Sequence, residues 1–165
     1  MSVPFHITPI DAEAKDRFKQ VKSKIPRKLP VGRAPTPVEL RKVIDSLKDF
    51  VAEYIPAKPK LREHWDIDVR SRKKPKSGPG AFIVLLPLKS TTKPLPSVHI
   101  ESGHPEVAAL IAVEIFRLCG PQLLDGEDIF GPHLVDGNRS AIELVEAMEA
   151  HASDEFAEYN EEFDG

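Results

Sequence analysis

Cysteine is almost missing: Cys119 is the one thiol in 165 residues, so no intramolecular disulfide can staple the fold. It closes an apolar stretch with no His or Lys beside it, the setting of a small buried hydrophobe and not of a reactive nucleophile. Long apolar runs are missing as well, since none approaches the ~18 residues that span a bilayer. Met1 to Ile10 has neither the basic region nor the apolar run of a signal peptide. A soluble, cytoplasmic protein with no membrane partner is the expectation. Catalytic signatures are equally scarce. No histidine pair stands at the i, i+4 spacing of a metalloprotease helix, and there is no Gly-x-Ser-x-Gly elbow or kinase set. Ser77-Gly-Pro-Gly80 precedes a strand instead of following one, so it reads as a hairpin connection and not as a phosphate loop.

What is present is ordinary in amount and unusual in distribution. Hydrophobic residues make up 41% and charged residues 30%, as in a globular protein with one core. The 16 prolines are an excess that punctuates the elements. Residues 1–80 carry 19 Lys and Arg against 10 Asp and Glu, a net of +9, whereas residues 81–165 carry 4 against 16, a net of −12. Such halves attract each other in the fold or leave a basic and an acidic face for partners.

Periodicity supplies the elements. Thr8-Pro9 and Asp11 form a helix start, and Ala14, Phe18, Val21 and Ile25 predict one helical face to about Lys24. Thr36-Pro37 with Glu39 is a capping box. Leu40, Val43, Ile44, Leu47, Phe50, Val51 and Tyr54 then predict a second helix ending near Tyr54. Trp65 to Ser71 alternates, Ala81 to Leu86 is apolar throughout and predicts a central strand covered on both faces, and Ser97 to Ser102 alternates again. These three predict an antiparallel meander. His104-Pro105-Glu106 opens a polar-poor helix closed by Gly120, which must be covered by the sheet on one side and another helix on the other. Gln122 to Asp125 reads as a short fourth strand, followed by turns at Asp125-Gly126 and Asp136-Gly137. A last helix starts at Ser140 with Glu143 as its capping partner. The predicted class is α+β, an antiparallel sheet of about four strands packed with about four helices, in one domain over residues 1–152. Residues 153–165 follow as an acidic tail with six carboxylates and three aromatics.

Three constellations carry candidate chemistry. His99 and Glu101 share a strand face that His104 could approach, a possible metal-dependent active site, although the Pro-Cys-x-x-Cys that accompanies His-x-Glu in zinc deaminases is missing. Arg70, Arg72, Lys73, Lys74 and Lys76, with Arg27, Lys28 and Arg33, offer phosphate contacts for a nucleic-acid adaptor. The loops lack aromatics for base stacking and the pI is about 6.1, which disfavours that partner. Asp125, Glu127 and Asp128 lack the ligand spacing of an EF-hand and read as an acidic turn.

The run Pro96-Ser-Val-His-Ile-Glu-Ser-Gly-His-Pro-Glu106, the apolar helix after it, and Gly120-Pro-Gln-Leu-Leu-Asp-Gly-Glu-Asp128 resemble the strand-helix-strand unit of small bacterial immunity proteins that neutralise polymorphic toxins. The likeness covers about a quarter of the chain and rests on pattern. It implies a non-catalytic protein-binding module, with no cofactor and no metal, that inhibits a basic toxin domain through an acidic surface. The expected contact residues are Asp125, Glu127, Asp128, Asp154, Glu155, Glu158, Glu161 and Glu162, with Phe156 and Tyr159 as anchors.

Overall fold

The computed structural model describes the backbone of residues 2–20, 26, 28–55, 65–85 and 91–164, and their side chains except those of 17–20, 65 and 155–164. In chain order the elements are β1 (Val3–Pro9), α1 (Ala12–Gln20), α2 (Pro37–Asp45), β2 (Phe50–Ile55), β3 (Trp65–Ser71), β4 (Gly80–Leu85), β5 (Val98–Gly103), α3 (Pro105–Cys119), β6 (Gln122–Asp125), α4 (Glu127–Phe130), β7 (Pro132–Val135) and α5 (Ala141–Asp164). The class is α+β as expected, but the described residues hold seven strands and five helices instead of about four of each. One antiparallel sheet runs in the order β2-β3-β4-β5-β1-β6-β7.

The largest departure from the sequence reading is β1, which sits between β5 and β6 and pairs with both. Val3, Phe5 and Ile7 are buried in alternation with half-exposed Pro4, His6 and Thr8. Pro4 has no N–H to give a ladder, and the register against β5 skips from Val3 to Phe5 at that point, so no donor is demanded of it. Thr8 therefore belongs to a strand and does not cap a helix. The cap of α1 is Asp11, whose carboxylate accepts the Ala14 N–H at 2.7 Å. Val21 and Ile25 of the expected helical face, and the side chain of Phe18, lie outside the described residues.

Helix α2 starts where the capping box places it. Glu39 N–H donates to Thr36 Oγ1 and Thr36 N–H to Glu39 Oε1, both at 3.1 Å. It ends at Asp45 and not near Tyr54, with Ser46 Oγ donating back to Val43 O at 2.6 Å. After a turn the chain resumes as β2, pairing residue by residue with β3 from Phe50 opposite Ser71 to Ile55 opposite Asp66. Tyr54 is held against α2, its hydroxyl donating to Asp45 at 2.6 Å with the Arg41 guanidinium 4.0 Å over its ring.

The Arg33 guanidinium forks onto Glu39 with two 2.7 Å bonds. That ion pair, helped by the Thr36 backbone, holds the Glu39 carboxyl down at about 2 against an ordinary 4.5. A carboxyl depressed in the folded state contributes stability above its unfolded pKa and loses it as pH falls through the folded one. Thermal melts should therefore show Glu39→Gln less stable than wild type at pH 6. The gap should narrow from about pH 4.5 and close near pH 2. A gap that stays constant over that range would leave the ion pair without a stabilising role.

β3, β4 and β5 form the predicted meander. In β4, Ala81, Ile83 and Leu85 are buried while Phe82 and Val84 are half-exposed, so the strand is covered fully on one face and not on both. α2 and α3 lie on that face, and Leu144 and Met148 of α5 complete the core beyond them. α3 runs between sheet and helices as its composition required, and Gly120 ends it with φ 82°. β6 spans the predicted residues, while α4 and β7 are additions, β7 pairing with β6 as the sheet edge. In α5 the Ser140–Glu143 box forms as predicted, with both bonds at 3.2 Å. The helix continues unbroken to Asp164, so the acidic segment from Ser153 is a continuation of α5. No helix among the described residues is long and apolar enough to cross a membrane.

Candidate functional site

The three candidate constellations fare differently. His99, Glu101 and His104 leave their neighbouring strand end in different directions. His104, at the N-cap of α3, turns its ring to β4, where Nδ1 accepts the Gly80 N–H at 3.0 Å, a structural tie. Glu101 is exposed at a bulge, the extra residue between Ile100, paired with Ile83, and Ser102, paired with Phe82. His99 reaches sideways across the sheet to His6, Nδ1 to Nδ1 at 3.3 Å. Among the described residues no group of three or more His, Cys, Asp or Glu is placed to hold a metal ion.

The basic residues are largely occupied at home. Arg70 is bound to Asp68 at 2.6 Å, Arg72 donates to the carbonyls of Lys48 and Phe50, and Arg33 is taken by Glu39. Lys28, Lys73, Lys74 and Lys76 are exposed, and Arg27 lies outside the described residues. Guanidinium forks already committed to carboxylates and carbonyls are poor phosphate readers.

Of the predicted acidic residues, the 125–128 turn and the part of α5 that carries Asp154 are brought near each other by the packing of α4 on α5. Asp125 Oδ1 accepts the Glu127 N–H at 2.9 Å and shapes the turn, leaving Glu127 and Asp128 exposed. The short α4 packs on α5, with His151 Nδ1–H donating to Ile129 O at 3.2 Å and the His133 and His151 rings edge to face. His133 donates from Nε2 to Phe130 O at 2.6 Å, and its burial pushes its pKa down. Asp154, exposed, follows His151 by less than one helical turn. Glu155, Phe156, Glu158, Tyr159, Glu161 and Glu162 lie on the α5 backbone, and their side chains are outside the described residues.

Sequence reading missed a second acidic feature. Between α3 and α5 runs a groove of about 400 Å³ lined by Leu110, Ala141, Ile142 and Val145 together with Glu106, Glu146 and Glu149. Ile142, 73% exposed, is the most exposed large hydrophobe among the described residues. The helical periodicity of α5 was legible; that its partner across the groove is α3 was not. Cys119 is buried and its thiol is pushed up by that burial, as a packing residue requires.

Fold and site together define an α+β protein whose seven-stranded antiparallel sheet carries helices on one face, with a groove of apolar residues and glutamates between α3 and α5 and an exposed acidic turn at α4 that packs on α5. No protein-family model matches the chain, and no curated protein or solved structure matches it significantly.

Proposed function

We propose that this protein is a non-catalytic binding module that engages a basic protein partner through the acidic surface around α4 and α5. The observation that carries the reading is the groove between α3 and α5, whose lining among the described residues is four apolar side chains and three glutamates with no cation. Apolar side chains supply affinity once desolvated, and charges of one sign steer and select a partner of the other. The contact between α4 and α5 adds Asp125, Glu127, Asp128 and Asp154 to the same side of the argument. The resemblance to immunity proteins makes a basic, nucleic-acid-cleaving toxin domain the expected partner and occlusion of its active site the expected mechanism.

The test is affinity capture from the source lysate on the immobilised full chain, followed by elution with rising salt. A partner that is basic, elutes earlier as salt rises, and is lost from a Glu127→Lys/Asp128→Lys or Glu146→Lys/Glu149→Lys variant supports the reading. A partner retained equally by both reversed variants, at any salt, defeats it.

A further inference from the structure

His6 carries no local signal in the sequence and His99 reads there only with Glu101 and His104, yet the two, 93 residues apart, stand directly opposite each other on adjacent strands. Their side chains occupy the sheet face opposite Phe5 and Ile100, the buried pair next in register. The two Nδ1 atoms are 3.3 Å apart while the ring centroids are 4.6 Å apart. The nitrogen edges therefore lean toward one another. Two nitrogens bound to one tetrahedral zinc ion at about 2.0–2.1 Å are separated by about 3.3–3.4 Å. The two rings share a hydrogen bond at this distance, and a metal replacing its proton would meet both nitrogens at nearly the spacing they already have.

The far side of His6 has the complementary feature. Its Nε2 faces Glu127 Oε1 at 3.6 Å, with the two side chains 40% and 54% exposed. A carboxylate behind the nitrogen that does not bind metal, here at ion-pair distance, favours the tautomer with its proton on Nε2 and so turns Nδ1 into the acceptor side of the ring. Glu127 is also the one non-glycine among the described residues with positive φ, at 57°. That conformation carries its carboxylate at the turn beside β1, fixed by the bond from its N–H to Asp125.

The geometry points to a divalent transition-metal site, of zinc-like preference, held by Nδ1 of His6 and Nδ1 of His99 with Glu127 as the supporting carboxylate. Two protein ligands leave the remaining positions to water or to a donor from a partner, in keeping with exposed side chains. The site does not depend on the partner-binding reading, and the metal alone tests it.

The chain, stripped with chelator, is titrated with Zn2+ and with Ni2+ by calorimetry, while the imidazole nitrogens are followed by NMR. One equivalent is expected to bind, with the Nδ1 resonances of His6 and His99 shifting together. His6→Ala and His99→Ala should each weaken binding at least tenfold, and Glu127→Gln by about tenfold, the low end for a supporting carboxylate. His133→Ala should change nothing. If an alanine variant folds poorly, His99→Gln, which keeps a polar side chain on the open face, replaces it. Zinc uptake that leaves both imidazoles unshifted, or that survives both histidine replacements, overturns the assignment, as does no uptake at all.

Discussion

Phe5→Ala should cost about 3–5 kcal/mol, read as a fall in the urea midpoint with little change in slope. Phe5 has no exposed surface, stacks on Phe130 with centroids 5.8 Å apart, and lies so close under the turn that a Cβ on Gly126 would come within 2.9 Å of its ring. Removing the ring opens a cavity beneath both central strands and the β6–α4 turn. β1 is flanked by β5 and β6, so loosening it separates the meander from the C-terminal strands. Thr8→Ala on the same strand, half-exposed, is the control and should stay within about 0.5 kcal/mol. Equal losses at the two positions would mean that β1 is not a core strand.

Gly32→Ala should rank beside it, at or above the top of the about 1–3 kcal/mol typical of overpacking. The segment after α1 is sewn to the body: Gly32 N–H donates to Ile10 O, Arg33 N–H to Cys119 O and Gln122 Nε2 to Arg33 O, each at 2.8 Å, while Ile10 N–H donates to Pro121 O at 3.0 Å. A Cβ on Gly32 would stand 2.0 Å from Pro121 O. The obstacle is backbone, already committed to Ile10, so it cannot swing aside as a side chain would. Relief requires breaking that stitching. Circular dichroism melts should show a loss far larger than that of Ser77→Ala in the exposed 72–77 loop. A Gly32→Ala protein as stable as wild type would show the close approach to be illusory.

Both sites illustrate why some of this architecture was readable and some was not. Helix starts were, because a capping box is a four-residue event: Thr36 with Glu39 and Ser140 with Glu143 form as their spacing predicts. β2 was not. Leu47, Phe50, Val51 and Tyr54 fit a helical period, and Phe50, Ala52 and Tyr54 fit an alternating one equally well. The choice fell to β3, whose free edge bonds the segment along its length. β1 alternates visibly at Val3, Phe5 and Ile7, but Pro4 speaks against a strand until the register skip beside it is known. Among site residues, the acidic turn and α5 could be picked out by composition. The apolar groove and the His6–His99 pair could not, because each joins positions far apart in the chain.

Local chemistry, then, determined the α+β class, the meander from Trp65 to Gly103, the apolar α3 with its Gly120 stop, and the gathering of carboxylates toward the C-terminal half. Tertiary structure decided the strand order, the central seat of β1, the change of Phe50–Ile55 from helix to strand, and which histidines face each other. The division has a physical cause. Caps, turns and periodicity are satisfied within one or two turns of chain, whereas a strand is satisfied only by another strand. Its backbone donors and acceptors find partners at a sequence distance that no local pattern encodes.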